Sequence, residues 1–277
     1  MRARSPLGAL SPPRRRFVVS AGVLCLVLCL AVLARLVASR EAPPPTVAQD
    51  RPGPVLLVPG YGGSTSALQV LAGRLRSAGR TATVLPLPGD GTGDLRLAAR
   101  ALGEAADAAI AAGAPSVDVV GYSAGGVTAR WWVAEQGGDA VTRRVVTLGS
   151  PHHGTQLAGL GAAFGLPGCP AACRQLSPAS DLLRTLNRAD ETPDGPQWTS
   201  LWTDQDEVVT PPASARLDGA TTVVVQRVCP GTTLSHGELP RSPLVAAVVL
   251  EALDRAPGRG AYGPQDCARL SSPRPSS

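Results

Sequence analysis

Short, continuously apolar runs alternate with longer stretches of helical periodicity along most of this chain, and that alternation limits its fold more than any other feature. Residues 55–58, VLLV, form one such run, ended by PGYGG. From 66 to 78 apolar residues recur at helical spacing (Leu68, Leu71, Leu75), and Gly79 closes the pattern. Further strands are expected over 81–85, 117–120, 145–148, 198–203 and 221–228, with helices over 95–112, 127–136 and 245–253. Apolar strands separated by helices imply an α/β fold whose central sheet is mostly parallel and covered on both faces. Ligands of such sheets bind just beyond the C-terminal ends of the strands.

The 277 residues, 44% hydrophobic and 17% charged, suffice for one main domain with a sizeable core. With four Trp, three Tyr and two Phe, that core must rest on Ala, Val and Leu. The basic excess sits at one end: seven of the 26 basic residues, all Arg, precede residue 41, where no acid stands. The rest of the chain carries 19 Arg against 21 acids, so no basic surface for nucleic acid is expected.

Residues 17–34 form an uncharged, largely apolar run behind Arg14, Arg15 and Arg16, just long enough as a helix to cross a bilayer. The basic flank should stay in the cytoplasm and the remainder should emerge on the other side. Two fates fit: an uncleaved membrane anchor, or an export signal cleaved near Ala38 and Ser39. RRRFVV also resembles a twin-arginine signal. The expected organisation is a signal or anchor over 1–40, a Pro-rich linker over 41–54, a folded domain over 55–267 and a disordered tail over 268–277. Cys25 and Cys29 lie in the apolar run, leaving four cysteines that allow three pairings. In an oxidising compartment the expected bonds are Cys169 with Cys173 and Cys229 with Cys267. The CxxxC spacing alone also suits a metal, but no matching His or Cys cluster accompanies it.

GYSAGG, residues 121–126, follows a strand and precedes a helix, the context of a nucleophile elbow with Ser123 at its tip. The flanking glycines let chain segments pass closely around a sharp turn. A serine hydroxyl needs a base, and the chain has three histidines. His152 and His153 come early, in GSPHHG, and are expected to line or brace the pocket. His236 follows the last expected strand, where the base of a Ser, acid, His order belongs. TDQDEVVTP offers Asp204, Asp206 and Glu207 as the acid; Asp206 is preferred and Asp204 is the runner-up. PGYGGS, residues 59–64, lacks the lysine and spacing of a phosphate-binding loop. It suits an oxyanion loop in which the amides of Tyr61 and Ala124 are the donors.

In order, VPGYGG, GYSAGG, LGSPHHGT, ACRQLSPASDLLRTLN, TDQDEVVTPP and VCPGTTLSH resemble the secreted triacylglycerol lipases and esterases of the α/β-hydrolase superfamily, in particular the bacterial class 2 type and its fungal relatives. The resemblance spans about residues 55–267. It implies hydrolysis of acyl or lipid esters through an acyl-enzyme, with Ser123 as nucleophile, His236 as base and Asp206 as its orienter. It also implies a bridge from the His loop to the C-terminal tail, in the places of Cys229 and Cys267. No cofactor or metal is expected, and a monomer is. The candidate cap is 154–171, rich in Gly, Ala and Leu. The alternatives are a cell-envelope acyltransferase or thioesterase with the same triad, and a catalytically inactive lipid-binding relative.

Overall fold

Each of the six apolar runs contributes a strand: β1 (Val55–Val58), β2 (Ala82–Val84), β3 (Val117–Tyr122), β4 (Thr142–Leu148), β5 (Gln197–Trp202) and β6 (Thr221–Val224). The computed structural model describes residues 47, 49–158, 168–188, 190–255 and 261–272. The apolar N-terminal run, the start of the linker, the middle of the candidate cap (159–167) and the last five residues lie outside that set. Among the described residues, no helix is long and apolar enough to cross a membrane.

The strands are parallel and ordered β2-β1-β3-β4-β5-β6. Around them lie α1 (Ser66–Ser77), α2 (Leu95–Ala111), α3 (Ala124–Glu135), α4 (Ala171–Gln175), α5 (Asp181–Leu186), α6 (Val225–Val228), α7 (Pro243–Asp254) and α8 (Cys267–Ser271). Side-chain alternation along the strands sorts the core into two layers. In β1, Val55 and Leu57 pack with Leu68, Leu71 and Leu75 of α1 and Val249 and Leu253 of α7. Leu56 and Val58 face the other way, toward Leu102 and Ala106 of α2 and Ala129 and Trp132 of α3. A strand buried on both faces has no polar side to show, which is why these runs are continuous rather than alternating.

Four boundaries differ from expectation. The run 221–228 is split, its second half turning into α6, which carries the chain to Cys229. α3 begins at Ala124, directly after Ser123, and not at 127. β4 begins at Thr142 because Arg143 and Arg144, polar in sequence, are buried there at 3% exposure each. α8 occupies part of the expected tail and buries Leu270, so ordered structure extends past 267.

Topology positions the site. From β1 the chain moves outward to β2, then crosses back to β3 on the other side of β1 and proceeds through β4 to β6. The loops after β1 and β3 therefore diverge, and the crevice between them is where ligands of such sheets bind.

Candidate active site

Ser123 stands between the end of β3 and the start of α3 with φ 53° and ψ −125°, the one non-glycine of positive φ among the described residues. Such a conformation costs an L-residue about 1–3 kcal/mol and persists only where its surroundings enforce it. They do: the Ser123 amide donates to Leu148 O at 2.8 Å. A Cβ on Gly121 would come within 2.5 Å of Gly126 Cα, and one on Gly125 would overlap the Val58 carbonyl. Only glycine fits either place.

His236 opens a short 3₁₀ segment, His236–Arg241, entered through a capping box in which Glu238 accepts from the Ser235 amide at 2.8 Å and hydroxyl at 2.7 Å. Its Nδ1 lies 2.7 Å from Asp206 Oδ2. Asp206 is buried, and its Oδ1 accepts from the amides of Val208 at 2.9 Å and Val209 at 2.7 Å. A carboxylate so held accepts the Nδ1 proton, leaving the Nε2 lone pair available as a base. Tyr122, next to Ser123, packs its ring 5.1 Å from that of His236 and donates its hydroxyl to His236 O at 3.3 Å. Burial first, then the charges of Asp206 and Glu207, pushes the Tyr122 phenol up to about 12, so it stays a donor. The Ser123 hydroxyl makes no hydrogen bond to His236 in this structure, a contact that commonly tightens only with substrate.

The other acids have separate tasks. Asp204 is exposed, and its amide donates to Gln226 at 3.1 Å. Glu207 accepts the His236 amide at 3.2 Å. His153 is half-exposed and bonds Glu191 at 2.8 Å, while His152 is wholly buried behind the elbow.

Beside Ser123, Gly60 sits so close that a Cβ there would lie 3.0 Å from Ser123 Cβ. The following residue, Tyr61, is exposed and its amide has no backbone acceptor. The Ala124 amide, at the first position of α3, has none within the helix and points with the positive end of the helix dipole. A cavity of about 240 Å³ opens beside Gly60 and Ala124, walled by Leu87, Pro88, Leu95, Leu97 and Ala98. Sequence reading left that wall unassigned; its signal was the Pro- and Gly-rich loop 86–94 directly after β2, at the ligand-binding edge of the sheet.

Cys169–Cys173 and Cys229–Cys267 are both bonded. Among the described residues no group of three or more His, Cys, Asp or Glu is placed to hold a metal.

A model of the family Lipase (class 2) matches residues 100–243, just over half of the chain. No curated protein matches it in sequence. Among solved structures it is similar to Aspergillus fumigatus lipase B at 22% identity and TM-score 0.63, over 83% of this chain and 58% of that one. It is also similar to mature Bacillus licheniformis lipase BlEst2 at 21% identity and TM-score 0.61, over 77% of this chain and 94% of that one. Phospholipase PlaB from Legionella pneumophila follows at 17% and TM-score 0.56, over 78% of this chain and 60% of that one. At such identities the structural likeness speaks for the fold, that of the α/β-hydrolases. The sequence match to the family goes further: the chain belongs to the class 2 lipases.

Proposed function

We propose that the protein hydrolyses carboxylic esters through an acyl-enzyme formed on Ser123. The observation that carries this is the strained elbow at Ser123 beside a buried His236–Asp206 pair 2.7 Å apart. Ser123 Oγ attacks the ester carbonyl carbon while His236 Nε2 takes its proton. The oxyanion so formed is stabilised by the amides of Tyr61 and Ala124. Collapse breaks the bond to the alcohol oxygen, which leaves with the proton from His236. Water then attacks the acyl-enzyme, again giving its proton to His236, and the acid departs as Ser123 recovers it. Asp206 holds the imidazole in the Nδ1–H tautomer throughout and offsets its charge when protonated.

The 240 Å³ cavity takes the acyl part, since its wall is largely apolar and it is lined by Gly60 and by Ala124, the residue after the serine. That volume lies below the roughly 300–1,000 Å³ usual for ligand pockets and favours a short acyl chain. Two disulfides fit a protein working in an oxidising compartment, and the apolar N-terminal run, as signal or anchor, would bring it there. Rates on p-nitrophenyl esters of increasing chain length, measured beside Ser123→Ala and with fluorophosphonate labelling, test this reading. The wild type should show a short-chain optimum and label on Ser123; turnover by the alanine variant would remove Ser123 from the mechanism.

A further inference from the structure

The mechanism leaves His152 unused, although it is 0% exposed and its Nε2 lies 3.0 Å from Thr147 Oγ1 of β4, the strand beside β3. Its protonation can be read from a chain of hydroxyls. Ser200 Oγ donates to Ala215 O at 2.5 Å. Its lone pairs then accept from Thr147 Oγ1 at 3.1 Å, which uses the only proton Thr147 has. Thr147 Oγ1 must therefore accept at its other contact, 3.0 Å from His152 Nε2. The proton of a neutral His152 is thus on Nε2, and Nδ1 is left as a buried lone pair without a partner. Burial first, then the nearby Arg130 and His153, holds the His152 pKa well below the usual histidine value.

What the ring anchors is the segment from Leu148 to His152, and that segment meets all three members of the triad. Leu148 O receives the Ser123 amide at 2.8 Å. Gly149, at φ 54°, passes so near the base and acid that a Cβ there would lie 3.1 Å from His236 Nδ1 and 3.2 Å from Asp206 Oδ2. Ser150 packs its hydroxyl where a Cβ on Gly126 would be, against the first turn of α3. The far end is tied back to the same helix: His152 O accepts from Asn187 Nδ2 at 2.9 Å, and Asn187 Oδ1 accepts from Arg130 of α3 at 3.0 Å. A leucine would fill this space without leaving a nitrogen unpaired, so burial alone does not call for histidine.

We infer that His152 is a positioning residue, whose Nε2–H bond to Thr147 locks the Leu148–His152 segment and through it the relative placement of Ser123, His236 and Asp206. This rests on the proposed triad, and its test is built to part the two. In the full chain, His152→Leu should lower kcat on the order of 10–100-fold, the scale of a small misplacement of reacting groups, with KM nearly unchanged. His152→Gln, whose amide can donate from the Nε2 position, should restore most of the loss, and Thr147→Val should reproduce it. The rate at which a fluorophosphonate labels Ser123, which needs no ester, should follow the same order. With three histidines in the chain, ring ¹⁵N shifts assign each one, and His152 should carry its proton on Nε2 alone at neutral pH.

A folded His152→Leu with wild-type kcat and labelling rate overturns the inference, as does a failure of glutamine to rescue. A ring protonated on Nδ1 at neutral pH overturns it even where the leucine variant does not fold. If the wild type labels but cleaves no ester, the ester reading falls and the positioning role is decided by the labelling rates. A wild type that does neither overturns both.

Discussion

The sheet buries a carboxylate at each end, and the two are satisfied in different ways. At the N-terminal end, Asp118 of β3 meets Arg143 at 2.6 and 3.0 Å and Arg80 at 2.5 Å. Arg143 also donates to Leu253 O at 2.7 Å, and Arg80 reaches Asp254 at 2.7 Å, so the cluster fastens the end of α7 to the sheet. At the C-terminal end, Asp206 has two fixed backbone amides and one imidazole. Guanidinium groups hold their protons under all ordinary conditions, so Asp118 faces constant charge and serves only to join elements. The His236 imidazole meets Asp206 through Nδ1 alone and keeps its second nitrogen, so in the proposed mechanism Asp206 orients a group that can take a proton from Ser123. Burial is common to both; what differs is the partner, two guanidinium groups for Asp118 and one imidazole for Asp206.

The comparison breaks first at the nucleophile. Ser123→Ala should lower kcat on the order of 10⁶-fold with little change in the urea midpoint, because the elbow is held by backbone contacts that the substitution leaves alone. Residual turnover well above background would mean the C-terminal end is also only a joint. Asparagine at the two carboxylates then gives a direct contrast. Asp206→Asn should lower kcat by about 10⁴-fold through loss of the Nδ1–H tautomer. Asp118→Asn leaves two arginines facing a neutral group and should cost about 3–5 kcal/mol of stability, while kcat per fluorophosphonate-labelled site stays at the wild-type value. If Asp118→Asn instead lowered kcat with stability intact, the two ends would not be separable in this way.

Sequence reading reached the two ends unequally. The bend at Ser123 and the His236–Asp206 contact were legible because an elbow motif announces itself locally and because chain order picks one histidine and one short acidic loop. The N-terminal cluster was not. Arg143 and Arg144 read as the polar residues before a strand, yet they begin β4, buried because Asp118, Gln49 O, Leu253 O and Arg255 O receive them from distant parts of the chain. No local pattern reveals partners 25 to 111 residues away. The same limit hid the wall of the 240 Å³ cavity and the Thr147–Ser200 hydrogen bond beside His152. At 221–228 the difficulty was of another kind: a continuous apolar run has no periodicity to tell strand from helix, and α6 took its second half. α3 started early because the sequence gives helix-poor Gly125 and Gly126 at its head, where tight passage matters more than propensity.

The smallest expected effect tests whether a His–carboxylate pair is catalytic by type or by setting. His153 and Glu191 repeat the Asp206–His236 pairing nearer solvent, at 2.8 Å, with the His153 side chain 42% exposed. The bond to Glu191 raises the His153 pKa above its usual 6.5. For Glu191, burial works upward, but the bonds from His153 and the Asp218 amide prevail and bring it below its usual 4.5. A raised histidine contributes stability that is complete below its unfolded pKa and is lost as pH rises through the folded value. A lowered carboxylate contributes stability present above its unfolded pKa and lost as pH falls through the folded one. The pair therefore stabilises most between about pH 4.5 and 6.5, and water screening keeps this to at most about 1 kcal/mol. Glu191→Gln should lower the urea midpoint by a small amount in that window, with the difference shrinking in alkali, and kcat should not change at any pH. A shift in the pH–rate profile would show that His153 shares the proton transfer proposed for His236; its absence leaves burial of the carboxylate against an imidazole beside Ser123 as what sets the proposed catalytic pair apart.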